Sequence, residues 1–172
     1  MLTRLAVVLM AMAAASPVLA QSKGEWIADP KSGCKVWSPN PLRGESVSWS
    51  GNCGDGLATG RGVLQWLQAG KALSRTDCEM ADGKITGRAV VDYTNGNRYE
   101  GEFRDNRYDG HGTVQYANGM RYDGEFRDGL PNGYGTFRGN GETIAGNWTK
   151  GCFSQGDRYV WVVTTKEACG FK

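Results

Sequence analysis

The sequence predicts an all-β protein in which successive β-hairpins, one for about every 23 residues, pair into a single elongated antiparallel sheet. The main observation is an internal repeat: residues 98–120 read RYEGEFRDNRYDGHGTVQYANGM and residues 121–142 read RYDGEFRDGLPNGYGTFRGNGE. The aligned positions are Tyr99 with Tyr122, Gly101 with Gly124, Phe103 with Phe126, Gly110 with Gly133 and Gly112 with Gly135. A fixed period of this length indicates a repeat architecture.

Alternation within each copy predicts a hairpin with two different faces. Along residues 98–104, the side chains of Tyr99, Gly101 and Phe103 share one face and the charged side chains share the other. The return segment is expected to place together Gly110, Gly112, Val114 and Tyr116. Turns are predicted at residues 105–109 and 128–132, which are rich in turn-forming residues. Because an isolated hairpin is only marginally stable, successive copies are expected to pair edge to edge.

These residues resemble the MORN (membrane occupation and recognition nexus) repeat, whose unit is YxGxF/W followed, after a short turn, by GxGxxxY. Residues 99–103 and 110–116 carry the unit, and residues 122–126 and 133–135 carry it again. The chain resembles an exported, bacterial-type MORN repeat protein, which implies an array of hairpins. Similar repeats occur beside lipid-kinase catalytic domains, but no such segment accompanies these repeats, so kinase activity is not expected.

The first residues predict a signal peptide over residues 1–20. Arg4 precedes an apolar run that is shorter than the roughly 20 residues of a membrane span, and Val18, Leu19 and Ala20 form a small-x-small cleavage pattern. The mature chain, starting at Gln21, is expected to be exported to the periplasm or secreted. Loss of Arg4 lowers the formal charge from +2 to +1. A near-neutral chain offers no basic field for nucleic acid.

Three regions are predicted after the signal peptide. Residues 21–47 are an N-terminal cap, residues 48–157 a MORN-like array with clear copies at 98–142, and residues 158–172 a closing strand (158–165) with a tail.

The outer copies are degraded. In residues 48–70, Trp49 takes the tyrosine position and Cys53 the phenylalanine position. In residues 76–97, the positions of tyrosine, glycine and phenylalanine hold Thr76, Cys78 and Met80. The residues of this second copy support only its second strand.

Five cysteines follow the predicted signal peptide, and in an exported chain disulfide bonds are the default expectation. Their odd number allows at most two bridges within one chain. We favour Cys34–Cys53 and Cys152–Cys169, each of which closes a short terminal loop, with Cys78 free or intermolecular. A metal site is not expected, because the chain has no CxxC motif and one histidine.

The aromatic face has two interpretations. Its rings form the thin core of the sheet, or part of the row stays exposed and binds a ligand or a second chain, since large apolar patches mark interaction sites. The candidate binding face consists of Trp49, Trp66, Tyr99, Phe103, Tyr116, Tyr122 and Phe126.

Functionally, the sequence favours an exported, non-catalytic scaffold that binds a protein partner or self-associates, with no cofactor. His111 fills a repeat position that holds Arg61, Arg88 or Tyr134 in other copies, which indicates a surface residue rather than a catalytic one. The alternative is a glycan or cell-wall binding module that uses the aromatic rings. A hydrolase using the pair Glu100 and Glu102 is a third, less favoured hypothesis.

Membrane lipid is a weak candidate partner despite the family name. On each first strand of the clear copies two arginines flank two acidic residues: Arg98 and Arg104 around Glu100 and Glu102, and Arg121 and Arg127 around Asp123 and Glu125. Binding of anionic lipid requires several unopposed cations, which this balanced pattern does not provide.

Overall fold

The computed structural model describes residues 24–171, which form β-strands and contain no helix. The strands are β1 (Glu25–Ala28), β2 (Lys35–Ser38), β3 (Glu45–Trp49), β4 (Asn52–Gly54), β5 (Leu57–Gln68), β6 (Lys71–Ala81), β7 (Lys84–Tyr93), β8 (Arg98–Arg104), β9 (Arg107–Gln115), β10 (Arg121–Arg127), β11 (Leu130–Gly139), β12 (Glu142–Trp148), β13 (Cys152–Gln155) and β14 (Arg158–Trp161). The predicted signal peptide, residues 1–20, lies outside the described residues.

One sheet contains twelve of these strands, in the order β1-β2-β5-β6-β7-β8-β9-β10-β11-β12, with β3 and β4 both paired to β5. We call β3 and β4 with β5 hairpin 1, β6–β7 hairpin 2, β8–β9 hairpin 3 and β10–β11 hairpin 4. The pairing from β5 to β12 is antiparallel throughout. The predicted all-β fold of successive hairpins is therefore confirmed.

The C-terminal segment differs from the predicted closing strand at residues 158–165. β14 covers only Arg158–Trp161 and pairs with β13 in a separate two-stranded sheet. The segment contacts the main sheet through single bonds: the Gly151 amide donates to the carbonyl of Pro131 in β11, and the Val163 amide donates to the Tyr116 hydroxyl.

Hairpins 3 and 4 turn more tightly than their sequences predicted. Two residues make each turn, Asp105 and Asn106 (φ 51° and 66°) and Asp128 and Gly129 (φ 51° and 89°). Residues 107 and 130 already pair with the opposite strand. Positive φ at both central residues gives the type I′ turn, whose twist matches that of the flanking strands.

A tyrosine ring lies over two glycines in each clear copy. The Tyr99 hydroxyl donates to the carbonyl of Glu102 at 3.0 Å, so the ring covers Gly101 and Gly112. A Cβ at Gly112 would lie 2.7 Å from Tyr99 Cζ, closer than packed carbon atoms approach. Tyr122 repeats the arrangement with a 3.2 Å bond to the Glu125 carbonyl.

The two glycines of each GxG motif have different roles, which corrects the predicted single face for Gly110 and Gly112. The register of hairpin 3 shifts between Gly101 and Phe103, which is a β-bulge. Gly110 lies opposite this bulge with φ 102°, and a Cβ there would lie 2.6 Å from Glu102 Oε2 on the charged face. Gly110 is thus required for backbone conformation, and Gly112 for space under the tyrosine.

Hairpin tips stack on one another beyond the bulge. The second turn residue of each hairpin donates its amide to the hairpin before it: Gly83 to Ala58, Asn106 to Ile85 and Gly129 to Tyr108, at 2.9–3.2 Å. β2 crosses the same tips, because Lys35 donates to the Gly56 carbonyl and Trp37 to the Gly83 carbonyl. The tips therefore form a second line of contacts between repeats and hold the N-terminal cap.

Hairpin 1 reproduces the ring arrangement with tryptophan. Trp49 Nε1 donates to the Asn52 carbonyl at 2.8 Å, three residues along the chain as in the tyrosine copies. A Cβ at Gly62 would lie 2.7 Å from Trp49 Cη2. Trp49 therefore occupies the predicted tyrosine position.

Hairpin 2 is complete, although only its second strand was supported by sequence. A smaller side chain replaces the ring and larger ones replace the glycines: Thr76, Cys78 and Ala89 stand at the positions of Tyr99, Gly101 and Gly112, and all three are buried. The volume lost at the ring position is thus regained at the two glycine positions, and the strands of hairpin 2 pair as in the other copies.

Both predicted disulfide bonds are confirmed. Cys34 pairs with Cys53 and Cys152 with Cys169, each with Cα atoms 5.6 Å apart. Cys78 is free and buried within hairpin 2. The Cys34–Cys53 bridge ties the N-terminal cap to hairpin 1, and the Cys152–Cys169 bridge closes the C-terminal segment on itself.

A buried aspartate fixes the cap to hairpin 1. Asp29 accepts hydrogen bonds from the amides of Lys31 and Trp49 and from the Ser32 hydroxyl, at 2.9–3.0 Å. Burial opposes ionisation of this carboxyl, but the hydrogen bonds outweigh it, so the pKa of Asp29 is lowered. The ionised side chain therefore stabilises the fold above about pH 4, and this contribution is lost as the pH falls through the lowered pKa.

We expect Gly112→Ala to destabilise the fold by about 1–3 kcal/mol, because the new methyl group overlaps the Tyr99 ring. In a Tyr99→Thr background, which mimics Thr76 and Ala89, the same change should be nearly neutral. Urea denaturation of the four proteins of this cycle measures the coupling. Gly54→Ala is the control, since its Cβ would lie 3.4 Å from Thr59 Cγ2. Equal losses in both backgrounds would contradict the space-filling role of Gly112.

We expect Asp29→Asn to lower the free energy of unfolding by about 1.5–3 kcal/mol at pH 7, since bonds to a charged acceptor are lost. The difference from the unmodified protein should shrink as the pH falls below about 4, where the aspartate itself becomes protonated. Denaturation between pH 2 and 7 measures this convergence. Asp55→Asn, in an exposed turn, should leave stability unchanged. Parallel pH profiles for Asp29→Asn and the unmodified protein would disprove the assignment.

Candidate functional site

Most of the predicted binding face is interior. Five of its seven rings are buried: Trp49, Tyr99, Phe103, Tyr122 and Phe126. Tyr99 stacks on Tyr108 with centroids 3.6 Å apart and meets Phe103 and Phe126 edge to face. These five rings form the core, so Tyr99 and Tyr122 offer no exposed face on which a sugar could stack.

The two remaining rings of that face, Trp66 and Tyr116, are half-buried. The Tyr116 hydroxyl accepts the Val163 amide at 3.1 Å, so the C-terminal segment covers it. Trp66 lines an open cavity. The predicted binding face thus lies mostly in the interior, and its two half-buried rings, Trp66 and Tyr116, are partly covered by segments distant in sequence.

This cavity, of about 420 Å³, lies over hairpin 2 on the ring face. Its lining comes from three places: the sheet (Trp66, Leu73, Ser74, Thr76, Ile85, Val91, Tyr93, Phe103), the cap (Pro39, Asn40, Glu45) and the tips of hairpins 3 and 4 (Asn106, Arg107, Tyr108, Asp128, Gly129). Thr76 lines the cavity at the position where other copies place a ring. The cavity thus lies where the least regular copy lacks its ring.

Glu45 is the charged residue of the cavity that the sequence analysis missed. It begins β3 in phase with the buried Val47 and Trp49, so it projects to the ring face. Its Oε2 atom is buried and has no hydrogen-bond partner among the described residues. The alternation Glu-Ser-Val-Ser-Trp was the available signal, but residues 45–47 had been assigned to the cap and not to a strand.

Two tyrosines complete the lining without adding charge. The hydroxyls of Tyr93 and Tyr108 are hydrogen-bonded to each other. Burial raises the pKa of Tyr108, and the neighbouring Tyr93 adds to the effect. Burial also raises the pKa of Tyr93. Both side chains are therefore neutral near pH 7 and can donate or accept hydrogen bonds.

The charged face consists of exposed ion pairs. Arg98 pairs with Asp92 at 2.6 Å and Arg121 with Asp123 at 3.1 Å, while His111 lies 3.6 Å from Asp123. The Thr113 hydroxyl, followed by Arg121, lowers the pKa of Asp123. Arginine and acidic side chains alternate across the strands. Because their ion pairs are exposed to solvent, they contribute little to stability.

The outer edge of β12 is open. Along this strand no backbone amide or carbonyl on the side away from β11 has a partner in residues 24–171. At the opposite end, the cap closes β3: the Glu45 amide donates to the Leu42 carbonyl and the Trp49 amide to Asp29. β12 carries one charge, Glu142, and neither lysine nor proline, which are the usual protections of an edge strand.

Comparison with known families supports the repeat assignment. The family model of the MORN repeat matches residues 99–121 and 122–143. Hairpins 3 and 4 are MORN repeats. No curated protein matches the chain significantly. The MORN match indicates a repeat-based interaction or scaffold role, and an all-β repeat fold of this kind is generally a non-catalytic module.

The described residues contain neither a membrane-spanning helix nor a metal-binding cluster. Among residues 24–171, no helix is long and apolar enough to cross a membrane. Within the same residues, no cluster of three or more histidine, cysteine, aspartate or glutamate side chains is arranged to hold a metal ion.

We expect the thiol of Cys78 to be unreactive in the folded protein. Burial, with a contribution from Asp77, raises the pKa of Cys78 to about 12, so almost no thiolate is present at pH 8. Mass spectrometry after iodoacetamide treatment should show no label in buffer and one label in urea without reductant. A Thr143→Cys variant, exposed on β12, serves as the positive control. Rapid labelling of folded Cys78 would show that hairpin 2 is not packed as described.

Proposed function

We propose that this chain is an exported, non-catalytic interaction protein that binds another polypeptide by extending its sheet at β12. The observation that carries the proposal is the open, unprotected edge of β12. An extended segment pairing there would form main-chain hydrogen bonds, as in β-strand addition. The polypeptide is either a second copy of this chain or another protein, and the experiment below separates these.

Export is supported by the N-terminal pattern and by the cysteines. Two cysteine pairs lie at disulfide-bonding distance, and disulfides persist in oxidising compartments such as the periplasm or the extracellular space. A binding role at the sheet edge is compatible with this location because it requires neither a cofactor nor an energy source.

The geometry of β12 identifies which amides would pair. The two-residue turn at Asn140 and Gly141 joins β11 to β12, so Gly139 and Glu142 form the closing pair. Hydrogen-bonded and non-bonded pairs alternate along an antiparallel ladder. The amides of Thr143, Ala145 and Asn147 therefore point away from β11 and are the donors available to an incoming strand.

We expect Ala145→Pro to abolish binding, because it removes the central free amide without breaking a bond to β11. Ala145→Thr, which keeps the amide and favours a strand, is the matched control. Sedimentation measures self-association, and capture from an envelope extract measures other partners. In either case, hydrogen exchange should show that binding protects the amides of Thr143, Ala145 and Asn147.

Two results would reject the proposal. The first is that the protein stays monomeric at high concentration and that every protein it captures is also captured by the Ala145→Pro variant. The second is binding that leaves the three amides exchanging as fast as in the free protein.

A further inference from the structure

We infer that the cavity over hairpin 2 binds the guanidinium group of an arginine side chain presented by a partner polypeptide. The inference rests on the proposed role in binding polypeptides, but it concerns a different surface from β12. Three observations support it: an unpartnered carboxylate oxygen, aromatic side chains on either side of a small one, and several hydroxyl acceptors.

Charge identifies a cation as the missing partner. Glu45 Oε2 is buried without a hydrogen bond in the described part of the chain. Arg107 is the single cationic residue in the cavity lining, and it already pairs with Asp128 at 3.3 Å near the rim. The lining therefore carries one uncompensated carboxylate. A carboxylate oxygen buried without a partner is unfavourable, so a cation that enters the cavity gains both a hydrogen bond and an ion pair.

The walls suit a flat cation with several N–H donors. Trp66 and Tyr93 are both paired with Ser74, from β5 and β7 on its two sides. Neighbouring strands lie about 4.8 Å apart, so the two aromatic residues stand roughly 9.5 Å apart at the backbone with a small serine between them. A guanidinium is planar, weakly hydrated and suited to packing against aromatic rings, whereas an ammonium is compact and strongly hydrated.

The hydroxyls of the lining complete the match. Ser74 and Thr76 are buried in its floor, and Tyr93 and Tyr108 hold their hydroxyls together at its side. Hydroxyl oxygens accept hydrogen bonds, and a guanidinium has five N–H donors to distribute between them and Glu45. The cavity volume falls within the range of pockets that take a small ligand, which is enough for the end of an arginine side chain.

Binding can be measured with the peptide acetyl-Gly-Arg-Gly-amide, followed by the indole N–H resonance of Trp66 in NMR titrations. The matched ligand is the same peptide with citrulline, which keeps the shape of arginine and removes its charge. We expect the citrulline peptide to bind at least roughly tenfold more weakly, since hydrogen bonds between charged groups are about twice as strong as neutral ones. Methylguanidine, a free guanidinium compound with the same single charge, should bind more weakly than the arginine peptide.

Glu45→Gln should weaken arginine-peptide binding by a similar factor and leave the citrulline peptide unaffected. The same variant should raise Tm in the absence of peptide, because it removes an unpartnered buried charge. Glu79→Gln, on the exposed face of β6, is the control and should change neither arginine-peptide binding nor Tm. Ala145→Pro should also retain arginine-peptide binding, which separates this site from the β12 edge.

Several outcomes would overturn the inference. Equal affinity for the arginine and citrulline peptides would remove the role of charge. A lower Tm for Glu45→Gln would mean that the carboxylate already has a stabilising partner. Methylguanidine binding more tightly than the peptide would assign the cavity to a free cation and not to a polypeptide.

Discussion

The hydrogen bond from a ring to the carbonyl three residues along the chain is the interaction on which the rest of this structure depends. It holds Tyr99 flat over its own hairpin, so the next strand must carry glycine at residue 112. The same carbonyl belongs to the residue at the bulge, where the strand bends. Bent tips then stack from one hairpin to the next. Trp49 makes the equivalent bond at the N-terminal end of the array, which shows that the geometry, and not the tyrosine itself, is retained.

The distinctive surfaces of the molecule lie where a copy departs from that arrangement. Hairpin 2 loses its ring at Thr76 and fills the glycine positions, and a cavity opens beside it. β12 has Ile144 in place of the ring, and Phe153 from the C-terminal segment fills the space over Gly146. At β12 a regular contact within the repeat is replaced by a contact with the C-terminal segment, and at hairpin 2 it is replaced by a cavity that the N-terminal cap helps to line. Regular copies supply the stable sheet, and irregular ones supply the features that can bind.

Long-range packing limited how much of the site could be predicted from the sequence. The ring face was predicted, and its residues lie on one face as expected. Their accessibility was not predictable, because it depends on segments 39–45 and 152–163 that approach from outside the repeats. Glu45 was missed for the same reason: its role comes from lining one cavity with Trp66 and Tyr93, and neither residue is close to it in sequence.

The sequence by itself determined the repeat period, the hairpins of the two clear copies and the alternation of faces, and it favoured the two cysteine pairs, because each of these depends on neighbours along the chain or on short loops. The tertiary structure alone decided that hairpin 2 is complete, that five rings are core, that Gly110 and Gly112 have different roles and that β12 is an open edge. These properties depend on how much space the neighbouring strands leave for a side chain and on which terminal segments cover the sheet. A one-dimensional pattern specifies the direction of a side chain, whereas only packing specifies what it meets there.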